Sequence, residues 1–461
     1  MLRRWQKDCL EQAAISYKTQ SHFLVLAAPG AGKTKLAAEV AKQLITNDQV
    51  DYVVCFSPSR IVASGIEEAF QSVLERPFHG RLGSVGASRT YHSLISANQL
   101  INDLRNSRVL VVFDEIHHCA GDGVSESNSW GLHLLTSIQE LATYTLSLTG
   151  TPWRTDTLPL PFARYADREG NILCDFSYGL AEAIRDGVCR MPKVTAIDIE
   201  DITVKRQQDF TTYQDIAAVL ESGELGYRNL IKHPEIIEYL LGKGISKLTE
   251  LRKKSPNAGG LIVASSCEHA LQIQELLASV FGKMARVVSY YQQDSSDLID
   301  DFKNGDAEWI ISIAMISEGT DIPRLQVCCH LTDVTTELYF RQITGRVIRT
   351  SPDQENEAYL YMLAEPRLVK YAERLNEDVP GCYMHEGLEQ VSGTAIEVYS
   401  EPAGYCGAST HTNADQGISA PELSGLGLYK QENCKSVSFE VKLKSFRERL
   451  LASFFDLSSY Y

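Results

Sequence analysis

The segment Ala27-Ala28-Pro29-Gly30-Ala31-Gly32-Lys33-Thr34 restricts this chain more than any other. It follows the apolar run Phe23-Leu24-Val25-Leu26 and opens a helical stretch from Lys35 to Leu44. A glycine-rich turn entered from a buried strand and left through a helix calls for a parallel sheet with helices packed on it. Gly30 and Gly32 allow backbone N–H groups to close around an anion, and the helix N-terminus adds its partial positive charge. Ala28, Pro29, Gly30, Ala31 and Gly32 then form a phosphate cradle, Lys33 reaches the β- and γ-phosphates, and the Thr34 hydroxyl ligates Mg2+. The usual pattern starts with glycine where this chain has Ala27.

The same alternation continues beyond the loop. Tyr52–Phe56, Val109–Phe113 and Tyr144–Leu148 are short apolar runs separated by helical stretches, which is how central strands of a parallel sheet read. A second series follows at Gly260–Ala264, Ala285–Val288, Trp309–Ile313, Gln326–His330 and Ala358–Met362. The fold class is therefore α/β with two parallel sheets in tandem. A length of 461 residues suits two to four domains. The expected division is 1–165, the first sheet; 166–258, a linker and helical insertion; 259–380, the second sheet; and 381–461, a C-terminal appendage.

Val111-Val112-Phe113-Asp114-Glu115-Ile116-His117 ends a buried strand in two adjacent acids. In an open α/β sheet the carboxyl ends of the strands face the ligand crevice. Asp114 suits Mg2+ coordination, and Glu115 suits orienting and deprotonating an attacking water. Together with the phosphate loop this pair points to hydrolysis of ATP.

With these motifs in place the chain resembles a superfamily 2 helicase of the DEAD/DEAH group, similar to the motor subunits of type III and type I restriction enzymes. The matches run in the family's order over about three quarters of the chain. Leu2-Arg3-Arg4-Trp5-Gln6 resembles the adenine-reading segment, with Gln6 as the adenine contact. Ser57-Pro58-Ser59-Arg60 and Ser88-Arg89-Thr90-Tyr91-His92 resemble two strand-gripping motifs, which makes Ser59, Arg60, Thr90 and Tyr91 nucleic-acid candidates. Asp114-Glu115-Ile116-His117 is the DExH box, and Leu148-Thr149-Gly150-Thr151-Pro152 the coupling motif, in which Thr149 and Thr151 link His117 to strand movement. Gly260–Ser266 resembles motif IV. Met315–Pro323 resembles motif V, contributing Gly319 and Asp321 to the nucleotide. Gln342-Ile343-Thr344-Gly345-Arg346-Val347-Ile348-Arg349 is motif VI, in which Gln342, Arg346 and Arg349 complete the site. The resemblance implies two RecA-like domains with ATP and Mg2+ in the cleft between them. Ile116 in the box and Gln342, where many RNA-directed members have histidine, favour DNA over RNA.

Lys+Arg 44 against Asp+Glu 59 gives a net charge of −15, so no global field draws the chain to nucleic acid. A local patch must hold it. The segment Tyr227–Lys254 runs against the chain's sign, and Arg252, Lys253 and Lys254 at its end are candidates for phosphate contact. Trp153 and Tyr91 are candidates for base stacking. Glu440-Val441-Lys442 lacks the acidic partner a nuclease metal site needs and reads as an exposed strand. A nuclease on a separate chain of a restriction or antiphage assembly is therefore one expected partner; an ATP-gated RNA clamp is the other reading. The eleven scattered cysteines show no C-x-x-C pair and read as reduced thiols of the cytoplasm. No apolar run approaches the roughly 20 residues of a membrane span, and no apolar core follows the early charges to make a signal peptide.

Overall fold

The structure, a computed structural model, describes residues 2–96, 105–116, 138, 140–150, 164–165, 172–206, 209–289, 295–313, 322–350, 355–375, 382–384 and 439–451. The first sheet contains β1 (His22–Ala27), β2 (Tyr52–Ser57), β3 (Gly86–Thr90), β4 (Val109–Asp114) and β5 (Tyr144–Thr149). Then come β6 (Arg164–Tyr165), β7 (Ile172–Cys174) and β8 (Phe176–Tyr178). The sheet order is β3-β2-β4-β5-β1-β8 and every pairing is parallel. β4 lies in the middle and is buried along its whole length, which explains its unbroken apolar run. Helices α1 (Arg4–Ser16), α2 (Lys33–Thr46) and α3 (Arg60–Leu74) accompany it. α2 buries Leu36, Ala37, Val40, Ala41 and Leu44, one stripe at helical spacing.

The second sheet begins earlier in the chain than its apolar runs suggest. β9 (Met191–Glu200) is followed by β10 (Ile202–Arg206) and β11 (Asp209–Tyr213). Next are β12 (Gly259–Ala264), β13 (Ala285–Ser289), β14 (Trp309–Ile313), β15 (Leu325–Leu331) and β16 (Glu357–Leu363), then β17 (Cys382–Met384), β18 (Phe439–Lys442) and β19 (Ser445–Leu451). The order is β13-β14-β12-β15-β16-β9-β19, parallel except for β19, which runs antiparallel to β9. Gly260 is required here. A Cβ on it would lie 2.3 Å from the ring of Trp309, which is completely buried.

The segment 166–258 is only partly the helical insertion expected. Helices Ile216–Ser222, Tyr227–Ile231 and Pro234–Arg252 are present, broken at Gly223 and before Pro234. Its middle, however, is strand. β9 alternates buried and half-buried residues on either side of Ala196 and Ile197, which are both buried. The C-terminal segment is likewise no separate appendage in its described part, since β19 closes the second sheet. Phe446 stacks on Tyr239 of the helix Pro234–Arg252 at 4.1 Å. No helix among the described residues is long and apolar enough to cross a membrane.

Candidate active site

The phosphate loop joins β1 to α2, and its two glycines have left-handed backbones, φ 77° at Gly30 and 98° at Gly32. Space is as restrictive as the backbone. A Cβ on Gly32 would lie 2.9 Å from Gln6 Nε2, and one on Gly30 would lie 2.9 Å from Arg349 Cγ. The loop is braced by α1. Gln6 Nε2 donates to the Gly32 carbonyl at 2.9 Å, and Arg3 Nη1 to the Ala31 carbonyl at 2.6 Å. Trp5 fixes α1 by stacking on Tyr178 of β8 with centroids 4.8 Å apart. Gln6, expected from the sequence as the adenine contact, is buried against the phosphate cradle.

The acids stand at the carboxyl end of β4. Asp114 is buried, and its carbonyl accepts the Tyr91 hydroxyl at 2.8 Å. Glu115 has φ 51°, an uncommon conformation for a residue with a side chain. Its Oε1 lies 2.9 Å from Lys33 Nζ, and its Oε2 accepts the Gly150 N–H at 3.1 Å. Lys33 also donates to the Ala27 carbonyl at 3.3 Å. Thr34 is half-buried beside Lys33, and Thr149 is buried at the end of β5. His117, Thr151, Trp153, Gly319 and Asp321 lie outside the described residues.

The helix Glu337–Val347 brings the second sheet to the same loop. Gly345 meets Pro29 so closely that a Cβ would lie 2.6 Å from Pro29 Cβ, and the stem of Arg349 covers Gly30. Gln342, Arg346 and Arg349 are half-buried on this side. Cys189 Sγ donates to the Pro29 carbonyl at 3.3 Å. Burial pushes this thiol up to about 12, against the pull of Arg3, Arg349, Lys33 and Arg190.

Arg190 escaped the sequence reading. It is completely buried, and its guanidinium donates to the carbonyls of Leu325 at 2.7 Å, Val347 at 3.0 Å and Pro323 at 3.1 Å. It thereby ties the end of the motif VI helix to β15, which positions Arg346 and Arg349. A lone arginine between Cys189 and Met191 carries no local signal of this.

The nucleic-acid candidates separate into two groups. Ser59 caps α3 through the Val62 N–H, Arg60 is exposed, and Thr90 pairs in register with Ser57, all at the carboxyl edge of β2 and β3. Tyr91 is not available for stacking on a base. It is buried, its ring lies 6.3 Å from Phe56, and its hydroxyl is committed to Asp114. The basic segment is neutralised by acids from other elements. Arg228 pairs with Asp333, Lys243 with Glu448, Arg252 with Glu308 and Lys254 with Glu355. Arg252 also donates to the Ala258 carbonyl at 2.6 Å. Much of the local charge excess is thus met by acids from other elements, and Arg252, 20% exposed, is held within the fold, which argues against its serving as a phosphate contact; Lys254 and Lys253 are exposed beside it.

Two parallel sheets, a phosphate loop on one and an arginine-bearing helix of the other pressed against it, define a tandem RecA-like motor architecture. Comparison with known proteins agrees. A family model described as "Type III restriction enzyme, res subunit" matches residues 1–154, and one described as "Helicase conserved C-terminal domain" matches residues 243–351. The chain belongs to the superfamily 2 helicases and is Res-like. It is 30% identical over 392 residues to an uncharacterised protein of Mycobacterium tuberculosis, a match covering 81% of this chain and 63% of that one. A Mycobacterium leprae protein, also uncharacterised, is 29% identical over 396 residues, covering 81% and 64%. The chain thus spans a little under two thirds of the length of these relatives.

Among solved structures, the ATP-dependent type ISP restriction-modification enzyme LlaBIII bound to DNA has a TM-score of 0.56 at 12% identity, covering 85% of this chain and 32% of that one. A fragment of an HsdR-type subunit of a type I restriction enzyme from Vibrio vulnificus has a TM-score of 0.56 at 14% identity, covering 81% and 66%. S. cerevisiae Dbp5 bound to RNA and ADP BeF3 has a TM-score of 0.51 at 12% identity, covering 83% and 88%. At these identities the likeness is one of fold.

Proposed function

We propose that the chain binds ATP with Mg2+ between its two sheets and couples hydrolysis to movement along, or separation of, a nucleic-acid duplex, DNA in preference to RNA. The observation that carries this reading is the contact of Gly345 and Arg349 with Pro29 and Gly30, which makes one site from both halves of the chain. Residues contributed by both halves to one site can transmit nucleotide chemistry into relative movement of the two sheets.

The donor set fits the nucleotide. Gly30 and Gly32 leave backbone room for phosphates, Lys33 would exchange its Glu115 partner for a phosphate oxygen, and Gln6 would meet the adenine. Thr34 and Asp114 are oxygen ligands of the kind Mg2+ takes, and the ion would neutralise charge between the phosphates. Glu115 would accept the proton of the attacking water, and Arg346 and Arg349 would stabilise charge on the γ-phosphate, with Gln342 beside them. Gly319 and Asp321 would contribute from the second half, while His117, Thr149 and Thr151 would pass the change to the strand-gripping edge formed by Ser59, Arg60 and Thr90. The DNA preference rests on Ile116 and Gln342 and is supported by the DNA-bound type ISP relative in fold. A second reading, supported by the match to the restriction-enzyme res subunit model, makes the chain the motor of a restriction or antiphage assembly whose nuclease is on a separate chain.

The test is steady-state ATPase with no polymer, single-stranded DNA, duplex DNA and RNA in parallel. Stimulation by DNA above RNA is expected. Stimulation by RNA alone would transfer the protein to the RNA-remodelling reading, and no hydrolysis under any condition would end the proposal.

A further inference from the structure

β9 does not stop where its sheet stops. Leu363, the last residue of β16, pairs with Ile197, and β9 runs on to Glu200 before β10 takes over. The antiparallel partner shows that this is one continuous ribbon. β19 pairs with β9 from Leu451↔Val194 to Ser445↔Glu200, and β18 pairs with β10 from Lys442↔Thr203 to Phe439↔Arg206, with no change of register between them. At the junction Lys444 Nζ meets Asp201 Oδ2 at 2.6 Å. β11 folds back along β10, completing a three-stranded arm. Five residues of β10 at about 3.3 Å each carry the arm roughly 17 Å beyond the last of β9. Because β9 is parallel to its neighbour β16, the arm leaves from the carboxyl edge of the second sheet, the edge where open α/β sheets bind ligands.

The arm has two unlike faces. Ile202 and Val204 are buried on one, packed into the core. The other carries Thr203 and Lys205 of β10, Phe210 and Thr212 of β11, and Lys442 of β18, with Glu440 sharing it by register. Phe210 is 61% exposed, and Lys205 Nζ lies 5.5 Å from its ring centroid. Lys442 and Thr212 are exposed as well. An exposed aromatic ring flanked by lysines and hydroxyls on one sheet face has the chemistry of a base-stacking platform: the ring takes a base, and the ammonium groups take phosphates.

We propose that this face of the β10–β11–β18 arm binds an unpaired nucleic-acid strand, with Phe210 stacking on a base and Lys205 and Lys442 contacting its backbone. This rests on the translocase reading and extends it with a contact outside the helicase motifs. Such a contact is tolerant of sequence, since every base presents a π-face.

The experiment uses the full chain and a fluorescein-labelled oligothymidine in anisotropy titrations over a range of salt, beside ATPase without polymer and a thermal melt. Phe210→Ala is expected to weaken single-strand binding about 5- to 100-fold, on the scale of one lost stacking contact, with the melt and the polymer-free ATPase unchanged. Lys205→Ala should lower the log–log salt slope by about 0.7. Phe210→Trp should keep the affinity, and its added emission over the wild-type protein should be quenched by the oligonucleotide. If the wild-type protein binds and Phe210→Ala binds equally well, the ring serves a protein contact instead and the proposal is overturned. If the wild-type protein binds no polymer at all, the translocase reading falls, and the arm's role falls with it.

Discussion

The Lys33 ammonium and the Glu115 carboxylate stand 2.9 Å apart, the phosphate-binding amine paired with the candidate base. Both are largely shielded, with side chains 10% and 28% exposed. Neither can perform its proposed role while the pair holds, because Lys33 must turn to phosphate and Glu115 to water. Glu115→Gln is therefore expected to leave nucleotide binding intact or slightly tighter, since the amide releases Lys33 without its charge. Turnover should fall by at least about 10²-fold, because an amide cannot accept the proton. Lys33→Ala should lose binding itself. A fluorescent-nucleotide titration beside phosphate release separates the two, and wild-type turnover in Glu115→Gln would remove Glu115 from the role of base.

Arg346 lies one residue after Gly345, where the second half touches Pro29. A guanidinium brought across a cleft stabilises charge spread over γ-phosphate oxygens, so Arg346→Ala should lower kcat by about 10³-fold with nucleotide affinity little changed. Arg346→Lys should recover little, because an ammonium lacks the planar fork of donors. A melt run alongside decides between chemistry and structure: lost activity with a collapsed transition would make Arg346 a strut of the second half.

Arg252 tests the corrected reading of the basic segment. Its side chain is 20% exposed and reaches both Glu308 and the Ala258 carbonyl. Arg252→Ala is expected to cost about 1–3 kcal/mol by leaving the buried Ala258 carbonyl without its donor, while Glu308 keeps Lys283. The salt dependence of nucleic-acid binding should not change. A slope reduced by about 0.7 to 0.9 would restore the phosphate-track reading.

The difference between what was legible and what was not follows from range. Runs such as Val109–Phe113 and Trp309–Ile313 announce strands because both faces are buried, and the structure has a strand at each. The phosphate loop and the acid pair are equally local, set by the strand just before them, and they meet as Lys33 and Glu115 do. β9 was missed although Met191–Glu200 alternates, because its apolar residues are interrupted by Lys193, Thr195 and Asp198 and suggest no continuous run. The charge of Tyr227–Lys254 misled for the opposite reason: Asp333, Glu355 and Glu448, which neutralise it, lie 100 residues or more from their partners along the chain. Arg190 and Tyr91 likewise take their meaning from backbone carbonyls that only the fold brings near.

His330 gives the second sheet a defined response to acid. It sits on β15, fully buried, edge-on to Phe340 with ring centroids 6.1 Å apart. Among the described residues neither of its ring nitrogens has a hydrogen-bond partner. Burial depresses its pKa to about 4 from the ordinary 6.5. Burial does the same to His269, also to about 4, with help from Lys232. The folded state therefore keeps both rings neutral where the unfolded chain protonates them. Between these two values the unfolded state binds more protons, so stability falls as the pH is lowered through that window and levels off below the folded pKa. At about pH 5 each histidine should cost roughly 2 kcal/mol relative to neutral pH. His330→Leu removes one of the two and replaces unsatisfied nitrogens with a side chain of similar volume, so stability near neutrality should hold or rise. Urea titrations of both proteins at neutral pH and at about pH 5 measure the difference directly, because the remaining groups titrate alike in each. The leucine variant should lose about 2 kcal/mol less than the wild type on acidification. Equal losses would show that His330 is protonated in the folded protein and that its burial does not set the response.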